Sequence, residues 1–289
     1  MKVLITGADG QLGTDLCQAL HRVEIIPLTH ADIEIADMSS VTDAFNKYRP
    51  DAVINTAAYV RVDDCEDDPD RAFRANTIGA RNVAVAAQEQ RAKLFHISTD
   101  YVFGGENEPR STPYTEFDTP VPCNVYGKSK LAGENLVCHL CAKHFIIRTS
   151  ALFGVAGASG KGGNFVETML KLARERDELR VVADQTFSPT YSKDLARKIA
   201  QLVTTEYYGV FHITNKGSCS WYVFATEILK LVGVKTPLIP ITSDQYPQKA
   251  RRPRFSVLDN CHLRLLGIDD MRPWQEALRD YMREKGHAK

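Results

Sequence analysis

Short, unbroken apolar runs recur along the chain, each followed by a stretch whose apolar residues sit three or four positions apart. Val3-Leu4-Ile5, Glu24 to Leu28, Asp51 to Asn55, Lys93 to Ile97, Phe145 to Arg148 and Gly209 to Ile213 have the length and makeup of strands. Their near-continuous apolarity predicts parallel strands covered on both faces. Between them, Leu16, Ala19 and Leu20, then Ala44, Phe45 and Tyr48, then Ala84, Ala86 and Ala87 mark helices. Leu131, Ala132, Leu136 and Val137 mark another. Strand and helix in alternation predict an α/β fold built on a doubly wound parallel sheet, Rossmann-like.

The first strand runs into Thr6-Gly7-Ala8-Asp9-Gly10-Gln11-Leu12-Gly13 and then the first helix. Gly7, Gly10 and Gly13 permit a tight turn, close approach of backbone to a pyrophosphate, and close packing of helix on strand. The helix N-terminus then offers free N–H groups to the phosphates. The spacing is three and three, not the two-then-three of the usual fingerprint. At the end of the second strand stand Thr29 and His30, neither the acid that reads an NAD ribose nor the base that meets an NADP phosphate, so the cofactor is NADPH or NADH. Asp37, ahead of the second helix, is a candidate adenine contact or a helix cap. Ala57-Ala58-Tyr59, past the third strand, are small enough at first to border the crevice.

Residues 1–150 are therefore read as the dinucleotide-binding core, with 180–215 completing the sheet. Residues 151–289 mainly supply a smaller, interleaved α/β substrate-binding lobe. Composition adds exclusions. Lys+Arg and Asp+Glu number 36 each, so no net charge favours nucleic acid or an anionic membrane. Met1 to Thr6 reads as a strand rather than a signal peptide, and no later run is long enough to span a bilayer. The 7 cysteines lack framework spacing, which fits a reducing compartment, and the expected location is cytoplasmic. Cys138-x-x-Cys141 has no second ligand pair and reads as half-buried helix cysteines rather than zinc. The acidic run Asp63 to Asp70 reads as helix starts, with Pro69 at one of them, rather than as a metal site.

Chemistry concentrates in two places. Tyr126-Gly127-Lys128-Ser129-Lys130 opens a helix, so Tyr126 and Lys130 lie one turn apart on one face. An ammonium nearby is expected to lower the phenol pKa and suit Tyr126 to proton transfer. Thr99, ending the fourth strand, offers a hydroxyl to an oxygen that becomes negative. The polar, proline-containing residues 105–122 are expected to form a functional loop over the active site. Gly157 to Gly163 form a glycine-rich loop without a Walker ending. Trp221 to Val232 are an amphipathic helix with Trp221 and Phe224 in the core. Arg251-Arg252-Pro253-Arg254 is either a diphosphate-binding cluster or a solvated basic loop on residue types alone.

Taken together, Gly7, Gly10, Gly13, Asn76, Thr99, Tyr126 and Lys130 resemble the extended short-chain dehydrogenase/reductase superfamily. Ser98 to Phe103, the Tyr126 motif through Glu134, Arg148-Thr149-Ser150, Asp184-Gln185 with Pro189-Thr190, and Arg252-Pro253 with Ser256 and Leu258 resemble, more specifically, the dTDP-4-dehydrorhamnose reductase family. The resemblance implies that Thr99, Tyr126 and Lys130 are catalytic. It implies cofactor contacts from Gly7, Gly10, Gln11, Leu12, Gly13, Asp37, Met38, Ala57, Ala58, Tyr59, Asn76, Ser98, Tyr126 and Lys130. It implies contacts from Val62, Tyr101, Asn164 and Arg252 to a dTDP-linked sugar. Three departures from the family stand out. Ala151 replaces a tryptophan, Val60 replaces a small hydroxyl residue, and Asp15 and Lys193 stand where glutamates bind a bridging magnesium. The expected state is a monomer or weak homodimer without bridging metal. Two alternatives remain: another nucleotide-linked 4-keto-deoxysugar as substrate, and a non-catalytic regulatory subunit of the methionine adenosyltransferase type.

Overall fold

The computed structural model describes residues 1–108, 110–157 and 163–288. Most of the glycine-rich loop expected over Gly157 to Gly163 therefore lies outside the described residues, as does Pro109 of the proline-containing stretch. Six parallel strands form the main sheet: β1 (Lys2–Thr6), β2 (Glu24–Leu28), β3 (Ala52–Asn55), β4 (Lys93–Thr99), β5 (His144–Thr149) and β6 (Gly209–His212). Their spatial order is β2-β1-β3-β4-β5-β6. The chain leaves β1 for β2 on one side and returns for β3 on the other. That reversal opens a crevice at the carboxyl ends of β1 and β3, where ligands of such sheets bind.

Strand alternation assigns each apolar side chain to a face. Val3, Ile5, Ile54, Phe95, Phe145 and Ile147 pack with α1 (Gln11–Ala19) and α5 (Ser192–Leu202). Leu4, Val53, Leu94 and Ile146 pack on the opposite face with α2 (Met38–Tyr48), α3 (Gly79–Glu89) and the far end of α4 (Val125–Leu140). With both faces covered, the strands have no polar side, which is why they read as unbroken apolar runs.

The second lobe has its own core, centred on Phe153, Leu170, Phe187, Phe224, Trp274 and Tyr281. Its strands are short pairs: Leu179–Val182 with Leu238–Ile241, Thr186–Phe187 with Cys219–Ser220, and Leu152–Phe153 with Thr190–Tyr191. The chain crosses between the lobes repeatedly, so Leu179–Val182 belongs to the lobe whereas β6, 27 positions later, closes the main sheet.

Two expectations need correction and a third needs extending. Among the described residues of 105–122, none lines the large cleft. Tyr114, 1% exposed, instead stacks on Phe103 at 4.1 Å and pairs by backbone with Leu258, anchoring the loop away from it. Cys138 is exposed and Cys141 buried, not both half-buried. The acidic run does start helices, with Asp68 capping Pro69–Phe73, but it also clasps the lobes together. Asp63 binds Arg252 at 2.8 Å and Asp67 binds Lys249 at 2.6 Å, while Glu66 braces the start of α4 within the main core by accepting from the Val125 N–H at 2.8 Å.

No helix is long and apolar enough to cross a membrane among the described residues, and none of their His, Cys, Asp and Glu side chains cluster as a metal site.

Candidate active site

The cleft above the sheet has a volume of about 1160 Å³ and runs from the β1–α1 turn to the second lobe. Gly7 makes the first bend at φ +66°, where a side chain is disfavoured, and any Cβ would stand 2.8 Å from the Thr56 hydroxyl. The chain then enters α1 at Gly10, which gives no side-chain cap, so the first N–H groups of α1 are left for an anionic ligand. Gln11 Oε1 and Thr149 Oγ1 border the same cleft and are buried without a hydrogen-bond partner among the described residues. Uncapped helix donors at one end and orphaned polar atoms along the wall fit a dinucleotide.

Most of the anticipated residues meet here. Gly7, Gly10, Gln11, Leu12, Ala57, Ala58, Tyr59, Val62, Ser98, Thr99, Tyr101, Tyr126 and Lys130 all line the cleft. Others stand behind the wall. Gly13 packs against Gly7 and Ala8, and Asp37 caps α2 by accepting from the Ser39 N–H at 2.9 Å, with Met38 next to it. His30 and Ile33 to Ala36 border the cleft there instead. Asn76 sits in a π-helical turn (Arg74–Ile78), the kind of irregularity that re-aims side chains at functional sites. It holds the Tyr59 backbone on one side and Ser129 of α4 on the other, at 3.0 Å. Asn164 caps Phe165–Glu175 and bonds Tyr281, while Arg252 is held by Asp63.

At the centre, α4 begins with Asn124 accepting from the Gly127 N–H at 2.7 Å. Gly127 passes so close to Tyr101 that a Cβ would stand 2.1 Å from its carbonyl oxygen. This contact seats Tyr126 against the end of β4, with its hydroxyl beside that of Thr99 in the cleft. One turn on, Lys130 is 2% exposed and donates to the Ile97 carbonyl at 2.6 Å. Its Nζ also lies 3.4 Å from His96 Nε2. Behind it, His96 Nδ1 meets Asn55, which accepts from Thr6, so a buried polar chain crosses β4, β3 and β1.

The electrostatics differ from the sequence expectation. Burial pushes the Tyr126 phenol above its ordinary range, with the Thr99 hydroxyl the main opposing effect. Burial likewise pushes Lys130 down to about 8. Desolvation disfavours the charged form of each, and this outweighs the lowering of Tyr126 expected from the ammonium. Tyr126 is thus held as a neutral phenol. Neutral His96, kept so by burial and by Lys130, was not anticipated, because a histidine in mid-strand carries no sequence signal of its partners.

Toward the second lobe the wall is made by Ser150, Ala151, Gln185, Phe187, Trp221 and Ser256. Trp221 was expected in the core. It packs on Phe187 with centroids 3.9 Å apart and also faces the cleft, its Nε1 donating to Gln185 at 3.2 Å. Ala151 adopts φ +42°, uncommon for a residue with a Cβ.

Residues 1–286 match the family model described as RmlD substrate binding domain. The chain belongs to this family. Spore coat polysaccharide biosynthesis protein SpsK of Bacillus subtilis (strain 168) is 45% identical over 289 residues, covering 99% of each chain. A dTDP-4-dehydrorhamnose reductase of Aggregatibacter actinomycetemcomitans is 39% identical over 295 residues, covering 96% of this chain and 97% of that one. The crystal structure of dTDP-4-dehydrorhamnose reductase from Bacillus anthracis str. Ames in complex with NADP matches with a TM-score of 0.93. It is 44% identical and covers 98% of this chain and 99% of that one. Membership of the family agrees with the fold and with the end-to-end resemblance read from the motifs.

Proposed function

We propose that the protein is an NAD(P)H-dependent reductase that converts dTDP-4-dehydrorhamnose to dTDP-L-rhamnose, a sugar nucleotide for polysaccharide synthesis. The observation that carries the reading is the pair of hydroxyls, Tyr126 and Thr99, at the junction of the cofactor and lobe ends of one cleft, with Lys130 a turn away. The nicotinamide, when bound, supplies a hydride to the C4 carbonyl carbon of the sugar. Tyr126 gives its proton to the carbonyl oxygen as charge develops there. Thr99 donates a hydrogen bond to the same oxygen. Lys130, tethered by Ile97, keeps donors for ribose hydroxyls and stabilises the phenolate that Tyr126 becomes.

Uncapped α1 and Gln11 hold the dinucleotide phosphates; Asp37, Met38, Ala57, Ala58, Tyr59, Asn76 and Ser98 complete its site directly or by positioning. Val62, Tyr101, Asn164 and Arg252 face or frame the sugar nucleotide. Asp15 is engaged by Ser192 and Lys193 by Glu284, which supports a monomer or weak homodimer without a bridging metal. The free state of all seven cysteines supports action in the cytoplasm. Ala151 favours one second reading: the small residue leaves room for a different 4-keto-deoxysugar against Trp221 and Phe187.

The test is incubation of the purified protein with NADPH or NADH and dTDP-4-dehydrorhamnose. Loss of reduced-cofactor absorbance with formation of dTDP-L-rhamnose is expected. No oxidation with this sugar overturns the reading, and oxidation only with another keto sugar selects the second one.

A further inference from the structure

Asp100 follows Thr99 directly, lines the cleft, and is 3% exposed. No role was assigned to it from the sequence. Its carboxyl gathers hydroxyls from three parts of the chain. Oδ2 accepts from Ser150 Oγ at 2.8 Å and from Ser256 Oγ at 2.6 Å, and Oδ1 faces Thr99 Oγ1 at 3.1 Å. Ser150 follows β5, and Ser256 lies on the segment that bridges to the Thr186–Phe187 strand of the lobe. The titratable groups facing Asp100 are phenols: Tyr101 from its own turn and Tyr126 from α4. The cations are engaged elsewhere, Lys130 with Ile97 and Arg148 with Glu134.

A threonine hydroxyl has one hydrogen to donate and two lone pairs to accept with. Thr99 Oγ1 already accepts from the Tyr101 N–H at 3.2 Å. If Asp100 is ionised, the Thr99 hydrogen goes to Oδ1. That hydrogen then does not point at a substrate oxygen. If Asp100 carries a proton, its seat is Oδ1, because Oδ2 takes both serine hydrogens. Oδ1–H then fills the second lone pair of Thr99, whose own hydrogen turns into the cleft.

We propose that Asp100 is a positioning residue that acts as a neutral acid, fixing Thr99 as a hydrogen-bond donor to the carbonyl oxygen under reduction. Burial is the largest influence on this carboxyl and raises its pKa to about 6, so the neutral form is within reach of working conditions. The proposal deepens the reductase reading and rests on it.

The test is kcat/KM against pH, with hydride transfer followed in single turnovers, for wild type and Asp100→Asn. The amide can offer its NH2 to Thr99 and its oxygen to the serines, the pattern of the neutral acid. Wild type is expected to lose about tenfold between pH 6 and 8, while Asp100→Asn varies by about twofold at most. Parallel decline of the two overturns the proposal. In a Thr99→Val background the two profiles coincide if Asp100 acts through Thr99; a persisting difference overturns it. Ser256→Ala removes a donor to the ionised form, so the wild-type decline must shift to higher pH, and a shift to lower pH counts against the idea even if Asp100→Asn does not fold. Infrared spectroscopy gives a readout free of turnover: a protonated-carboxyl band in wild type at pH 5 that Asp100→Asn lacks. Absence of that band overturns the proposal, whereas failure of wild type to oxidise NADPH with the keto sugar overturns the reductase reading alone.

Discussion

Glu134 and Asp100 are carboxyls buried to almost the same degree, 2% and 3% exposed, beside neighbouring positions at the end of β4. Their company differs. Glu134 receives Arg148 in a two-point contact, Nη2 at 2.7 Å and Nε at 3.0 Å, and the Ser98 hydroxyl at 2.5 Å. Arg148 in turn faces His212 Nε2 at 3.4 Å, while His212 Nδ1 is 3.0 Å from the Tyr114 carbonyl. Burial, then Arg148, pushes His212 down to about 3, so it stays neutral and accepts from the guanidinium. Asp100 has hydroxyls and no cation. A buried carboxyl with a guanidinium is a fixed brace between α4 and β5; one with hydroxyls alone is free to change protonation where the chemistry happens.

The sharpest way to break this contrast is to remove the guanidinium. Arg148→Ala leaves Glu134 buried without its partner and should cost about 3–5 kcal/mol of stability by urea denaturation. Replacing both groups by apolar residues of similar size should cost much less. An equal cost for single and double variants would mean the pair is not a coupled brace.

Asp100 should show itself next through pH. A folded-state pKa raised from 3.8 to about 6 gives a stabilising contribution that is complete below pH 3.8 and disappears as pH rises through about 6. Two pKa units correspond to about 3 kcal/mol, an upper figure for the change in wild-type stability relative to Asp100→Asn between pH 4 and 7.5. A wild-type-minus-variant difference that does not change over this range contradicts the contrast.

The smallest effect belongs to the outer clasp. Asp63→Ala should lower stability by about 1 kcal/mol or less, because the Asp63 side chain is 39% exposed and solvent screens its pairing with Arg252. A larger loss would place this ion pair with the buried brace rather than with surface pairs.

The main sheet was legible because strands covered on both faces leave unbroken apolar runs, and Glu24–Leu28 could be bounded from sequence alone. The second lobe was not. Strands of two residues such as Leu152–Phe153 carry no period, and their partners lie far along the chain. Within the cleft, Tyr126 and Lys130 were readable because helical spacing fixes them on one face, and Thr99 because a strand end fixes it. Asp100 and His96 take their meaning from Ser150, Ser256 and Asn55, which only the folded chain brings near. The reversal of the Tyr126 expectation has the same origin, since burial is a property of the fold.

The central claim is that a neutral, half-buried phenol hands its proton to the sugar oxygen. Single-turnover reduction of dTDP-4-dehydrorhamnose by Tyr126→Phe, in protein shown to bind NADPH as wild type does, tests it most directly. The account predicts a rate at least about 100-fold below wild type at every pH. A rate within a few-fold of wild type would mean that another group delivers the proton.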